Sequence, residues 1–192
     1  MRLEVISVEV FKNHKIFEQY LIKTSKEDIF FDIDYLFVNN KHEDGISYVA
    51  LLVEDTEILA SFAFVKRSYI HNNHEYYDLI TPYEYGGVLT FSNNKSVFYE
   101  FYSRFENYCI KNNIITIFQR IDPFLRENLA TYNKYLNLTK ANDNVYLDLN
   151  QSEDQIFNNF HKNNRRDVRY AIKNGVSVEC YNSSSEAIGV FL

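Results

Sequence analysis

The residues with the clearest capacity to bind a ligand lie in one short segment, DLITPYEYGGVL at positions 78–89. Its two tyrosines offer aromatic faces with hydroxyls that donate or accept hydrogen bonds, and its glycine pair permits close approach of the backbone. Its carboxylate can accept hydrogen bonds from substrate amides or hold the loop in shape. A tight turn between two strands is the alternative interpretation. The candidate ligand contacts are Asp78, Tyr83, Tyr85, Gly86 and Gly87.

A second candidate set is basic and lies near the C-terminus. Its members are spaced three and four residues apart, so several cations share one face of a predicted helix. Arginine forks match phosphate oxygens with two parallel donors, which makes this face a candidate for binding a phosphate group. A solvated charged face is the alternative, and Asp167 is placed to pair with one of the cations. The set is Arg165, Arg166, Arg169 and Lys173.

The sequence predicts neither a metal site nor covalent catalysis. His71 and His74 flank an Asn pair without further His or Cys nearby, and Cys109 and Cys180 have neither zinc nor disulfide spacing. Cys109 is expected to be a buried, inert thiol. No Gly-rich nucleotide motif is present, so no bound cofactor is expected and no catalytic residue is assigned. Lys66-Arg67 is a weaker candidate for chemistry, and the favoured interpretation is that it ends a strand at the surface.

Composition excludes several classes of protein. The formal charge of −6 and the pI near 5.4 argue against broad, non-specific binding of nucleic acid. The N-terminus alternates like a strand and lacks the apolar core of a signal peptide. No segment approaches the roughly 20 apolar residues that span a bilayer. We therefore expect a cytoplasmic protein without stable membrane insertion, and peripheral association with a membrane-bound substrate stays open.

The elements around the first candidate set indicate a mixed α/β fold. Two apolar runs, 47–53 and 58–65, flank a short polar turn and predict a hairpin. An apolar stripe at helical spacing predicts a helix over 95–109, followed by a fully buried strand over 114–118. The order of strand, helix and strand favours a central mixed sheet flanked by helices. Residues 30–38 fit helix or strand.

A boundary is predicted near residues 142–144, which divides the chain into 1–143 and 144–192. The second part is predicted to open with a strand, followed by a helix that Ser152 caps and Gly175 ends. A further strand and an apolar helix follow. Because the chain stops within that last helix, we expect a fragment or a truncated gene product, and self-association through the unfinished region. The predicted elements after the boundary are strand 145–149, strand 176–180 and helix 184–192.

Three segments, in order, resemble a known family. The first is Asp-x-x-x-Pro-Tyr-x-Tyr-Gly-Gly over 78–87, and the second is Arg-x-x-Pro over 120–123. The third is the Arg-rich stretch 163–176, closed by Lys-x-Gly-Val. Together they are similar to the Fem-type acyltransferase-like proteins, which carry two domains of the GNAT acetyltransferase fold in tandem. Better-known members add amino acids from aminoacyl-tRNA to peptidoglycan precursors.

The resemblance implies a GNAT-like first domain over 1–143 and the opening of a second over 144–192. It implies N-acyl or aminoacyl transfer to an amine in cell-envelope biosynthesis, with the two candidate sets binding a nucleotide- or lipid-linked precursor. The donor, aminoacyl-tRNA or acyl-CoA, is undecided. The GNAT loop for acyl-CoA pyrophosphate is missing here, and in Fem-type proteins the donor belongs mainly to the second domain.

Two alternatives stay open from the sequence. One is an acyl-CoA-dependent N-acetyltransferase acting on nucleotide-sugar or polysaccharide precursors. The other is a truncated domain that binds substrate without turnover. Ligand binding by this chain without activity from any donor distinguishes the last from both enzymes.

Overall fold

The computed structural model describes residues 1–42, 44–125 and 132–179. The chain divides into two compact units, Met1–Ala141 and Asn142–Leu192, and each is described by itself. The assignment of two GNAT-like domains stays a prediction.

A six-stranded sheet organises the described part of the first unit. The strands are β1 Arg2–Ser7, β2 Ile46–Glu54, β3 Glu57–His71, β4 His74–Ile80, β5 Val88–Thr90 and β6 Ile114–Phe118. The helices are α1 Val8–Phe11, α2 Phe17–Thr24, α3 Ile33–His42 and α4 Ser96–Lys111, with a 3-10 turn at Ile29–Phe31. The strand order is β1-β2-β3-β4-β6, and the short β5 pairs with β3.

The sheet is mixed, as the sequence predicts. The pairs from β1 to β4 are antiparallel, β5 is antiparallel to β3, and β4 and β6 run parallel. The predicted hairpin is confirmed as β2 and β3, whose turn includes Asp55 with a φ of 52°. The predicted helix after residue 95 is confirmed as α4. Residues 30–38 form the end of the 3-10 turn and the start of α3, which Asp32 caps by accepting the N–H groups of Asp34 and Tyr35.

Both faces of the sheet are covered because β2 and β3 alternate large apolar side chains to either side. On one face α4 packs its aromatic stripe, and the rings of Phe62 and Phe105 meet edge to face at 5.4 Å. On the other face α1, α2 and α3 bury Phe11, Tyr20 and Leu36 against the sheet. A mixed α/β fold with a central mixed sheet flanked by helices is therefore confirmed.

The expectation that 114–118 is fully buried is wrong. The strand forms, but it lies at the end of the strand order, and Ile115 and Phe118 are 60% and 56% exposed. The pairing register with β4 also shifts, so that Ile115 has no counterpart between the pairs Tyr77–Ile114 and Asp78–Thr116. A continuous apolar run does not distinguish an edge strand from a central one.

The described part of the second unit contains two helices, α5 Glu153–Asn159 and α6 Lys162–Lys173. Ser152 begins α5 with a reciprocal capping box to Gln155, and Gly175 follows α6 with a φ of +75°, as predicted. The single helix predicted between these two residues is wrong, because extended backbone at Phe160 and His161, with ψ of 146° and 145°, separates α5 from α6. The strand predicted over 145–149 is wrong, because these residues pair with no strand in the described part and Val145 is 100% exposed. Residues 176–179 also form no strand. Cys180 and the predicted helix 184–192 lie outside the described residues.

Candidate functional site

A pocket of about 300 Å³ opens where β4 and β6 end. Among the described strands these two form the one parallel pair, and ligands in open α/β sheets bind in the crevice outside the carboxyl ends of such strands. We call this cavity the strand-end pocket. Its polar lining consists of Arg67, Asp78, Thr81, Tyr83, Thr116 and Arg120.

Three of these residues form a row across the sheet. Arg67 on β3 pairs with Asp78 on β4, and Asp78 pairs with Thr116 on β6. The Arg67 guanidinium donates from Nε to Asp78 Oδ1 at 2.9 Å and from Nη2 to Oδ2 at 2.5 Å. Such two-point pairing fixes the orientation of both side chains. The carboxylate of Asp78 is thereby oriented by Arg67 at the wall of the pocket.

Backbone hydrogen bonds join the chain after β4 to the chain after β6. The N–H of Thr81 donates to the carbonyl of Phe118 at 3.1 Å, and the N–H of Arg120 donates to Thr81 Oγ1 at 3.1 Å. The Arg120 carbonyl accepts the N–H of Gly86 at 2.9 Å, and the Gly86 carbonyl accepts the N–H of Asp122 at 2.8 Å. The backbone of Arg120 is therefore held on both sides at the rim of the pocket.

Helix α3 holds Tyr83 in place. The buried Asn39 accepts the N–H of Tyr83 at 2.8 Å, and the Tyr35 hydroxyl donates to the Tyr83 carbonyl at 2.7 Å. The Tyr83 side chain is 44% exposed and lines the pocket. The next residue, Glu84, has a φ of 75°, a conformation that costs free energy for a residue with a side chain and is retained only where the surroundings enforce it.

The other candidates of the 78–87 segment have structural contacts. Tyr85 packs edge to face on Phe30, with ring centroids 5.6 Å apart. Gly87 has a φ of +134°, and a Cβ there would lie 2.9 Å from the Tyr132 hydroxyl. That hydroxyl accepts the N–H of Val88 at 2.8 Å. The glycine pair therefore permits close backbone approach, as its sequence suggests, and the groups approached are Arg120, Asp122 and Tyr132.

The basic candidate set lies on α6 in the second unit. Arg165 donates to the carbonyls of Asn158 and Phe160 at 2.7 and 2.5 Å, which caps the end of α5. Arg166 pairs with Asp167 at 2.9 Å, and the Arg169 guanidinium lies 5.2 Å from the centroid of the Phe157 ring. Lys173 is exposed in the last turn of α6. Phosphate binding by this set stays a prediction.

Sequence reasoning gave Arg67 only as a weaker candidate and missed Thr116 and Arg120 as pocket residues. The expectation that Lys66-Arg67 ends a strand is wrong, because β3 continues to His71. The sequence did carry a signal for Arg67, namely the Asn72–Asn73 pair. Both residues have positive φ and form a turn that pairs His71 with His74. Such a two-residue turn fixes the register of a hairpin, and counting back along it places Arg67 opposite Asp78. The other two depend on the pairing of β4 with β6, which no local pattern determines.

Burial shifts the pKa of several groups in the first unit. Desolvation raises the pKa of the Asp122 carboxyl, and the N–H of Phe124 partly offsets this shift by hydrogen bonding. Burial lowers the pKa of Lys66, whose ammonium lies 3.6 Å from the centroid of the Tyr77 ring. Burial also raises the pKa of Cys109 to about 12, with the charge of Glu106 adding to the effect. Cys109 is buried, as expected, and its inertness stays a prediction.

Within the described ranges, no group of His, Cys, Asp and Glu side chains is arranged to hold a metal ion. None of the helices described is both long and apolar enough to cross a membrane.

No protein-family model matches this chain, and no curated protein matches it in sequence. Solved structures of acetyltransferases are similar to it in fold. An aminoglycoside acetyltransferase from an uncultured soil metagenomic sample, in complex with trehalose, is 10% identical, with a TM-score of 0.46 over 77% of this chain and 95% of that one.

Two further structures are similar to the same extent. A ribosomal-protein-alanine N-acetyltransferase from Brucella melitensis biovar Abortus 2308 is 6% identical, with a TM-score of 0.47 over 76% of this chain and 98% of that one. A GNAT family acetyltransferase from Staphylococcus aureus is 12% identical, with a TM-score of 0.43 over 76% and 98%. Likenesses at this level carry no argument about activity or substrate, and the Fem-type resemblance stays a prediction.

Proposed function

We propose that this protein is an N-acyltransferase that binds its amine acceptor in the strand-end pocket. The observation that carries the proposal is the pocket itself, which combines an oriented carboxylate, a tyrosine and two arginines at the carboxyl ends of the parallel strands. The order of the three sequence segments that resemble Fem-type proteins supports the same reaction class.

The reaction is attack of the acceptor amine on the carbonyl carbon of an activated ester or thioester, with the alcohol or thiol as leaving group. Positioning of the two reactants supplies much of the rate enhancement in reactions of this kind. Asp78, held by Arg67, accepts hydrogen bonds from the acceptor, and Tyr83 presents its ring and hydroxyl at the pocket mouth. No residue is assigned as the base.

The finer proposal is a role in cell-envelope biosynthesis of the peptidoglycan-bridge type. Its acceptor is a nucleotide- or lipid-linked envelope precursor and its donor is aminoacyl-tRNA, with α6 as the candidate contact for phosphate. The proposal places the protein in the cytoplasm, where charged tRNA is made. Acetyl-CoA with a nucleotide-linked amino sugar is the competing donor and acceptor pair.

A transfer assay tests the proposal. The purified protein is incubated with labelled aminoacyl-tRNA or labelled acetyl-CoA, each with a UDP-linked muramoyl peptide and, separately, a UDP-linked amino sugar. We expect label in a hydroxylamine-stable amide with charged tRNA and the muramoyl peptide. Transfer from acetyl-CoA to the amino sugar instead refutes the bridge-forming role and keeps N-acyl transfer, whereas absence of transfer in every combination refutes the enzyme.

A further inference from the structure

We propose that Arg120 makes the strand-end pocket a binding site for an oxyanion, a carboxylate or phosphate group carried by the acceptor. This inference deepens the proposed function and relies on it only for the identity of the molecule that carries the anion. It begins from the charge balance of the pocket lining, which contains Arg67, Arg120 and a single carboxylate, Asp78.

The two arginines differ in their pairing. Arg67 is held by both oxygens of Asp78, so the charges of these two side chains offset each other. Arg120 has no acidic partner among the residues described in the structure. The lining therefore carries one uncompensated positive charge on a chain whose formal charge is −6. A concave site with a net charge attracts ligands of the opposite sign.

The backbone of the exposed Arg120 is held at the rim of the pocket. Its N–H donates to Thr81 Oγ1 and its carbonyl accepts from Gly86. Its guanidinium carbon lies 5.6 Å from the centroid of the Phe118 ring, and Phe118 lines the same pocket. A guanidinium that rests on an aromatic face keeps the donors at its planar edge for an oxyanion. The Thr116 hydroxyl is a second donor in the lining.

The direct test is a titration followed by ¹H–¹⁵N NMR, with sodium phosphate in one series and sodium acetate in the other. Sodium chloride holds the ionic strength constant. We expect saturable shifts of the backbone amides of 78–81, 83 and 116–120 with at least one anion, and the series that saturates at lower concentration identifies phosphate or carboxylate. Shifts that do not saturate with either anion, or that map outside these segments, overturn the inference.

Three variants identify the charged contact. Arg120→Gln is expected to weaken binding at least about tenfold, the effect of losing one charge-assisted hydrogen bond. Arg104→Gln removes the same charge from an exposed pair with Glu100 on α4 and is expected to change binding by no more than about twofold. Asp78→Asn removes the opposing negative charge and is expected to tighten binding. Equal weakening by both arginine variants overturns the inference.

The shift map is measured on the wild-type protein, so the inference stays refutable even where a variant fails to fold. The titration contains no acyl donor, which keeps it separate from the transfer assay. Transfer activity without saturable anion binding refutes the oxyanion site and leaves the proposed enzyme standing. Saturable anion binding without transfer from any donor refutes the proposed enzyme and leaves the oxyanion site standing.

Discussion

Breaking the Arg67–Asp78 pair is expected to destabilise the first unit measurably. The perturbation is a double-mutant cycle made of Asp78→Asn, Arg67→Gln and the double variant. The amide of Asn keeps the shape of the carboxyl group and removes its charge. The single variant Asp78→Asn then replaces the charge-assisted pairing that Asp78 makes with Arg67, whose side chain is 37% exposed.

The expected magnitude follows from the burial and geometry of the pair. Exposed ion pairs contribute roughly 0–1 kcal/mol, and breaking a fully buried pair costs roughly 3–5 kcal/mol. The side chains of Arg67 and Asp78 are 37% and 22% exposed and share two hydrogen bonds. We therefore expect a coupling free energy of about 1.5–2 kcal/mol, between the two limits.

Urea unfolding followed by circular dichroism measures the four free energies of the cycle. The matched control is the same cycle on Arg104 and Glu100, an i,i+4 pair on α4 whose side chains are 41% and 39% exposed. That pair is expected to contribute only about 0.3–0.5 kcal/mol. A coupling in the Arg67–Asp78 cycle no larger than that of the control refutes the argument that the pocket wall holds this pair partly desolvated.

Three further predictions concern the surroundings of the site. Tyr132→Phe leaves the N–H of Val88 without its partner and is expected to cost about 1–3 kcal/mol in urea unfolding; an unchanged midpoint contradicts this. Gly87→Ala places a Cβ against the Tyr132 hydroxyl at a φ of +134°. It is expected to lower the melting temperature far more than the control Gly175→Ala, where a Cβ meets nothing within 4 Å. Equal decreases in melting temperature contradict the predicted clash. Burial raises the pKa of Cys109 to about 12, so iodoacetamide at pH 8 is expected to label it at least about 100-fold more slowly in the native protein than in urea. The raised pKa favours the thiol form of Cys109 in the native state. The resulting contribution to stability is present below the pKa of the unfolded state and is lost as pH rises through about 12. Rapid labelling of Cys109 in the native protein, located by mass spectrometry, contradicts the predicted protection.

The elements that sequence patterns predicted well are those determined by local chemistry. The β2–β3 hairpin follows from two apolar runs around a polar turn, and α4 follows from apolar residues three and four apart. The edge position of β6 and the unmatched Ile115 depend on pairing with a distant strand. Residues 145–149 alternate like a strand but have no partner strand in the described part, and alternation alone does not supply one.

The candidate site divides in the same way. Pro82 and the glycine pair marked the loop after β4, and that led to Asp78 and Tyr83 at the pocket. Arg120 reaches the same place through a hydrogen bond to Thr81, which is 39 residues away in sequence. Long-range pairing of this kind depends on the arrangement of the whole sheet. The periodicity of a single sequence reports only local structure and does not predict which distant strands pair.

Filling the strand-end pocket tests most directly whether acyl transfer takes place there. Thr116→Trp places a large side chain in the lining, and Ile115→Trp places the same side chain at the neighbouring position, which is 60% exposed and outside that lining. In the labelled-donor assay we expect the wild type and the Ile115 variant to transfer within about twofold of each other and the Thr116 variant to lose at least about tenfold. Transfer by the Thr116 variant at the wild-type rate, or no transfer by the wild type from either donor, contradicts the account.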